Sequence, residues 1–358
     1  MNGRKFDAQV VFTPKNSPRG QLMQQYVLAR IVTMTGIDIG LFDYDRHNSI
    51  YFFILNADEQ IYLRYGGRDA EDAGTYLDLS SIELAMRRGL EQHELFKASK
   101  LPKQPRPTPM FPQEIVSLKR EIIDRNRCVE CHLIGDYLAQ DQEKAGALDK
   151  IKTLWPSPDL KTLGIHLDVP KGLVVGKTEG AAARAGMRAG DLITAFNQTP
   201  VLTFGDLQYR YGKLSRNASA IRLTVERGGN ERTLTLKLPI EWWYTDTSFR
   251  FWTVEPMVYF TSKPIAPGRK REFGFEANGF ASEVISVDPL GKSLKAHTLR
   301  PGDIIYAVNG MATSKLTRNI ELYIKLTTRA GESVKLKLLR DGRPMEMTLK
   351  TYRQSFRK

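Results

Sequence analysis

The sequence predicts a multidomain α+β chain, and three observations carry that expectation. The C-terminal half contains an internal repeat. The first part, residues 1–96, alternates strand-forming and helix-forming runs. Between them lie a Pro- and Lys-rich break and a short helical stretch that holds the only two cysteines of the 358 residues. A chain of this length is expected to divide into two or three domains. At 41% hydrophobic and 26% charged residues it has enough apolar material for several small cores.

The elements follow in order. "AQVVFT" (8–13) is β-rich and predicts a strand. "SPRGQLMQQ" begins with a Ser cap and a Pro at the first helical position. "YVLARIVTM" (26–34) and "SIYFFILN" (49–56) predict buried strands, and "IYLRYGG" (61–67) returns the second as a hairpin. "SSIELAMRRGLEQHELF" (80–96) predicts an amphipathic helix, with Ser80 and Glu83 at capping-box spacing. Residues 97–112, "KASKLPKQPRPTPMFP", predict an extended linker. Residues 113–159 predict two helices. The first carries the stripe Ile115, Leu118, Ile122 and Ile123 and is expected to run straight into "CVECH" (128–132).

In the repeat, "AGMRAGDLITAFNQTPV" (185–201) aligns with "HTLRPGDIIYAVNGMAT" (297–313). "IRLTVERGGNERTLTLKL" (221–238) aligns with "VKLKLLRDGRPMEMTLK" (334–350). A Gly between hydrophobics lies upstream of each, Gly164 and Gly274, at nearly matched spacing from Asp191 and Asp303. Such internal periodicity is a strong organisational signal. The boundaries read as repeat one 160–240, an aromatic segment 241–269 with three of the four tryptophans, repeat two 270–352, and a basic tail 353–358. The aromatic segment is expected to pack the two repeats together.

These motifs support family resemblances. "EGAAARAGMRAGDLITAFN" resembles PDZ domains of the bacterial type found in periplasmic proteases, and the resemblance covers both repeats. It implies peptide capture as an added strand, with the carboxylate end held by a Φ-Gly-Φ loop. The implied loops are Leu163-Gly164-Ile165 and Phe273-Gly274-Phe275, and the implied pocket residues are Phe204, Leu207, Leu316 and Ile320. "ILNADEQIYLRYGGRD" resembles the last hairpin of thioredoxin-like domains, which implies a thioredoxin-like α/β fold for 1–96. That domain lacks the redox Cys-x-x-Cys, since the corresponding stretch is "TPKNSPRG". Asp191 and Asp303 read as turn caps through Asx geometry.

The lone Cys-x-x-Cys-His is too rare in this composition to be coincidence. A structural zinc needs four ligands, and only three are present, two of them adjacent. A dithiol is open as a second reading. A c-type haem fits the motif: thioethers at Cys128 and Cys131, with His132 as proximal iron ligand. Met110, His166 and Met187 are the nearest candidates for the distal ligand. The whole arrangement resembles exported bacterial proteins that combine a thioredoxin-like domain, a CxxCH segment and tandem PDZ domains. The lone CVECH beside two PDZ-like repeats points to a non-proteolytic scaffold carrying one haem, with a redox partner protein. The alternatives are a thiol–disulfide oxidoreductase or a plain adaptor with a structural disulfide.

Lys and Arg outnumber Asp and Glu by 53 to 40, which favours acidic partners. The charge is spread, however, and no basic stripe is interleaved with aromatics, which argues against nucleic-acid binding. Association with an anionic membrane surface fits the charge. No apolar run approaches the ~20 residues of a membrane span. No Gly-x-Ser-x-Gly or His-Glu-x-x-His protease signature occurs. "MNGRKFDAQVVF" shows no signal peptide, so the expected periplasmic or exported location requires a removed or replaced leader; the alternative is cytoplasmic.

Overall fold

The computed structural model describes residues 3–48, 50–245, 253–314, 317 and 319–353. The chain forms two compact units, residues 1–141 with 155–247, and residues 142–154 with 248–358.

The first unit opens with helices α1 (Gly3–Val11) and α2 (Pro18–Met23). The predicted strand at 8–13 is therefore mostly helix. Phe6 and Val10 lie one turn apart and both point into the core, so the helical period wins over the β-branched composition. Helix α2 matches expectation: Ser17 caps it by accepting from Gly20 N, and Pro18 is its first residue. Residues 26–34 form no strand; Val27, Leu28, Ile31 and Val32 are exposed. The ladder here is a single antiparallel hairpin, β1 (Tyr51–Leu55) with β2 (Ile61–Gly66). It packs on α3 (Leu79–Lys97) around Leu63, Tyr65, Leu77 and Ile82. Hairpin and helix are as expected, but this sheet is smaller than a thioredoxin-like fold implies. Helix α3 is capped by Asp78, whose carboxylate accepts from Ser80 N and Ser81 N, not by Ser80.

The stretch 98–111 contains no regular element. It is tied down by Gln104 N donating to Gln60 Oε1 at 2.7 Å and by Arg106 pairing with Asp38 and Glu59. Helix α4 (Val116–Glu121) buries Leu118, with Ile115 and Ile122 at its ends. It stops there. Ile122 leaves helical geometry and Asn126 adopts φ +54°, a left-handed cap. Helix α5 (Cys131–Lys144) begins at the second cysteine. The expected helix leading into Cys128 is thus absent; the helix follows the motif. Helix α6 (Lys150–Leu154) belongs to the second unit.

Residues 155–247 complete the first unit. Strand β3 (Ile165–Leu167) pairs with β4 (Val175–Thr178). After α7 (Gly180–Arg184) comes a four-stranded antiparallel sheet in the order β6-β5-β7-β8, from β5 (Leu192–Phe196), β6 (Thr199–Pro200), β7 (Ala220–Arg227) and β8 (Asn230–Lys237). Helix α8 (Phe204–Gly212) lies between β6 and β7 in sequence and is capped by Thr203. Of the aromatic segment, residues 241–245 pack within this unit: Trp242 lies 4.7 Å from Tyr211, and Trp243 4.8 Å from Trp155. Residues 253–269 belong to the second unit. Trp252 lies outside the described residues.

The second unit contains β9 (Phe260–Pro264), α9 (Pro267–Glu272), β10 (Ser282–Val287), α10 (Pro289–Ser293), β11 (Ile304–Val308), α11 (Ile320–Thr327), β12 (Ser333–Arg340) and β13 (Arg343–Lys350). Among the described residues, its five strands form one antiparallel sheet, β13-β12-β11-β10-β9. The sheet starts at β9, so this module begins upstream of the expected boundary at 270.

The two units repeat one hydrogen-bond plan. Val175 N donates to Asp191 O and Gly190 N to Val175 O; Val284 N donates to Asp303 O and Gly302 N to Val284 O. Asp191 is fully buried and grips Arg227 with both oxygens, at 2.6 and 2.7 Å. Asp303 grips Arg340 in the same way, at 2.8 and 2.7 Å. Both aspartates also accept from a turn amide, of Arg188 and Arg300. Each carboxylate thus caps its turn, as the Asx spacing predicts, and also ties the turn to the far hairpin. Arg227 holds the Asp191 carboxyl below the usual carboxylate range.

Candidate functional site

The expected loop Leu163-Gly164-Ile165 lies where a short 3-10 turn (Leu160–Leu163) meets β3. Leu163 and Ile165 are fully buried. Gly164 takes φ +78°, and a Cβ there would fall on the Glu179 carbonyl. Its N–H donates to Lys161 O at 2.9 Å, and its C=O accepts from Glu179 N at 2.9 Å. Glycine is required, but the close approach is to the chain itself.

Comparing the units overturns the second predicted loop. Strand β9 takes the position of β3: it pairs with β10 as β3 pairs with β4. Asp288 N donates to Tyr259 O, as Glu179 N donates to Gly164 O. Tyr259 has φ +57°, so Val258-Tyr259-Phe260 stands where Leu163-Gly164-Ile165 stands. Phe273-Gly274-Phe275 instead closes helix α9, with Gly274 at φ +74° and open space around it. Phe275 stacks on Tyr306 at 4.7 Å. The Tyr259 side chain has room because Gly291 faces it; a Cβ on Gly291 would lie 2.5 Å from the Tyr259 Cβ. Sequence reasoning aligned the copies on a glycine, whereas the small residue has moved to the facing helix.

Of the predicted pocket residues, Phe204 and Leu207 are buried on α8, and Ile320 is fully buried in the second core. Leu316 lies outside the described residues. Phe204 stacks on Tyr76, with ring centroids 3.3 Å apart. Asp206 is buried beside it and accepts from Arg64 N at 2.9 Å and Leu202 N at 3.3 Å. Burial pushes its carboxyl up to about 6, against those hydrogen bonds. Gln208 binds the backbone of Arg68 at both ends. In the second unit, Lys325 is buried and donates to the carbonyls of Val254 and Pro256 at 2.6 and 2.9 Å. Burial brings its amine down to about 7, helped by neighbouring Lys150. Neither Gln208 nor Lys325 stood out in the sequence, because each sits in a helix pattern that a surface residue would also fit.

Residues 162–238 match the PDZ domain family. This stretch is a PDZ domain. Among solved structures, the chain is similar to an HtrA-type protease AlgW with decapeptide: 14% identity over 46% of this chain and 55% of that one, TM-score 0.24. It is also similar to an HtrA-type protease AlgW with tripeptide: 12% identity, 45% and 58%, TM-score 0.23. The chain spans little more than half the length of those protease chains. The matched residues include the bidentate Asp191, the Gly164 turn and α8.

The cysteine motif lies outside the PDZ domain. Cys128 is exposed, Cys131 half-buried, and both are free thiols. His132 is exposed, with Nδ1 3.6 Å from Glu130. The Cys131 thiol faces the Tyr44 hydroxyl, which burial pushes up to about 12 with Cys131 adding to the shift. Arg46 sits 4.4 Å over the Tyr44 ring. Burial raises the Asp136 carboxyl, and His47 and His132 oppose that shift. Among the described residues, no three His, Cys, Asp or Glu side chains are grouped to hold a metal ion. Of the expected distal ligands, His166 lies 2.9 Å from Glu179 and Met187 is buried inside the PDZ domain. Met110 donates its backbone N–H to Asp38. None of the described helices is long and apolar enough to cross a membrane.

Proposed function

We propose that the chain is a non-proteolytic scaffold whose PDZ domain binds extended segments or C-termini of partner proteins. The observation that carries this is β3. It pairs only with β4 among the described strands, which leaves its outer edge free to accept an added strand. The repeated hydrogen-bond plan supports reading the second unit as a second PDZ domain. There, Glu321 on α11 accepts from Ser262 N and Oγ on β9, so that groove is bridged by the chain's own side chain. The test is retention of a pool of random decapeptides on the immobilised protein, once with free and once with amidated C-termini. Retention of the free-carboxylate pool is expected. Equal loss of both pools to a blank surface would sink the reading.

We further propose that the Cys128–His132 segment carries a covalent haem, with thioethers at Cys128 and Cys131 and His132 toward the iron. Support comes from one exposed and one half-buried free thiol beside an exposed imidazole. When bound, haem would supply one-electron chemistry. The helix that starts at Cys131 aims its positive dipole end at the motif, which favours the dithiol alternative as a second reading. Intact mass separates them: an excess of about 616 Da marks one haem, whereas an unmodified mass with two titratable thiols leaves the dithiol.

A further inference from the structure

The position of Gln208 on α8 gives the PDZ groove an occupant. Leu207 and Tyr211 fill the first core as Ile320 and Ile324 fill the second, at the same distance from the next strand. Gln208 therefore corresponds to Glu321. Glu321 reaches across to Ser262 on β9, the strand equivalent to β3. That helix position looks into the groove. In the first unit, the groove position meets backbone from the chain itself. Gln208 Oε1 accepts from Arg68 N at 3.1 Å, and its Nε2 donates to Arg68 O at 2.7 Å.

The neighbouring residues extend this contact. A Cβ on Gly67 would lie 2.5 Å from the Phe204 ring, so the segment is pressed on the start of α8. Asp69 receives Lys161 Nζ at 2.7 Å, and Ala70 N donates to Asp159 Oδ2 at 3.1 Å. Lys161 and Asp159 immediately precede the Gly164 turn. Residues 67–70 thus run from the start of α8 towards that turn. Arg68 and Ala70 are held through backbone groups, which is how peptide-binding grooves recognise extended ligands regardless of side chain, and Asp69 is held by its carboxylate. Arg68 and Asp69 are buried despite their charge.

We propose that residues 67–70 are a resident ligand on the helix side of the PDZ groove, so that a partner peptide binds only by displacing them. This rests on the peptide-binding reading above. The resident segment reduces apparent affinity by the fraction of time the groove is free.

The test uses the full chain and the random decapeptide pool with free C-termini. Gly67→Val drives the segment off Phe204 without altering the PDZ domain. Asp69→Asn, which removes the Lys161 pair, is the gentler second variant should the first misfold. Amide exchange at Arg68 and Ala70 reports docking, and fluorescence anisotropy of the best-retained peptide reports affinity. Protection in the parent, lost in the variants, together with roughly tenfold tighter binding by Gly67→Val, is the expected result. Loss of protection with unchanged affinity would overturn the resident-ligand proposal while leaving peptide binding intact. A released segment with no peptide bound by any form would overturn the peptide-binding reading itself.

Discussion

At the scale of single residues, the Tyr259–Gly291 pair shows how a backbone requirement can be met from either side of a contact. The left-handed position at 164 is filled by glycine and that at 259 by tyrosine. A left-handed tyrosine carries a conformational cost, and the missing Cβ on Gly291 makes the room it needs. Gly291→Ala should therefore destabilise the second unit by about 1–3 kcal/mol. In a Tyr259→Gly background the same change should cost close to nothing. Thermal melts of the four forms give the coupling, and additive effects would refute it. Gly164→Ala should cost the first unit a similar amount, because the position combines strain with a collision against Glu179 O. The identity of Asp191 and Asp303 as turn residues was legible in the sequence. Their bidentate arginines were not, because Arg227 and Arg340 lie far along the chain and look like ordinary hairpin-end charges.

At the scale of elements, local signals were readable where they acted alone. Ser17-Pro18 announced α2, and the 61–67 run announced its hairpin strand. Helix α3 was also placed correctly, but its cap was not: Ser80 and Glu83 have capping-box spacing, yet Asp78 does the capping. Asp78→Ala should lower stability by about 1 kcal/mol, whereas Ser80→Ala should stay within about 0.5 kcal/mol; urea melts distinguish them. The strand expected at 8–13 failed because Phe6, just ahead of the apolar run, joins Val10 to make a helical face. The helix into Cys128 failed because Asn126 turns left-handed, a choice no periodicity encodes. The second loop failed because the repeat was anchored on a glycine, and in that copy the glycine sits on the opposite helix.

At the scale of the whole molecule, each unit carries a strongly shifted buried group, Asp206 in the first and Lys325 in the second, and the two are of opposite charge type. Asp206 has its folded-state carboxyl raised from 3.8 to about 6. It favours the fold below the unfolded value, and that contribution is lost as pH rises through about 6. Lys325 has its folded-state amine lowered from 10.5 to about 7, and the Lys150 amine is lowered as well. The Lys325 contribution is full above the unfolded value and disappears as pH falls towards 7. The first unit should therefore weaken between pH 4 and 7, by a few kcal/mol for Asp206, and the second should strengthen between pH 7 and 10. Calorimetric melts across this range should show the two transitions moving in opposite directions, with Asp206→Asn flattening the first and Lys325→Gln the second. Transitions that move together would contradict the assignment. The glycine exchange between the units also constrains ancestry. If both copies descend from one module with glycine at the turn, the helix position had to shrink first. An Ala-to-Gly change there is mild, whereas a tyrosine arriving at the turn beforehand would have met an occupied site. The order of the two substitutions is thus favoured by sterics, and a reconstructed intermediate with glycine on both sides should be more stable than one with side chains on both sides.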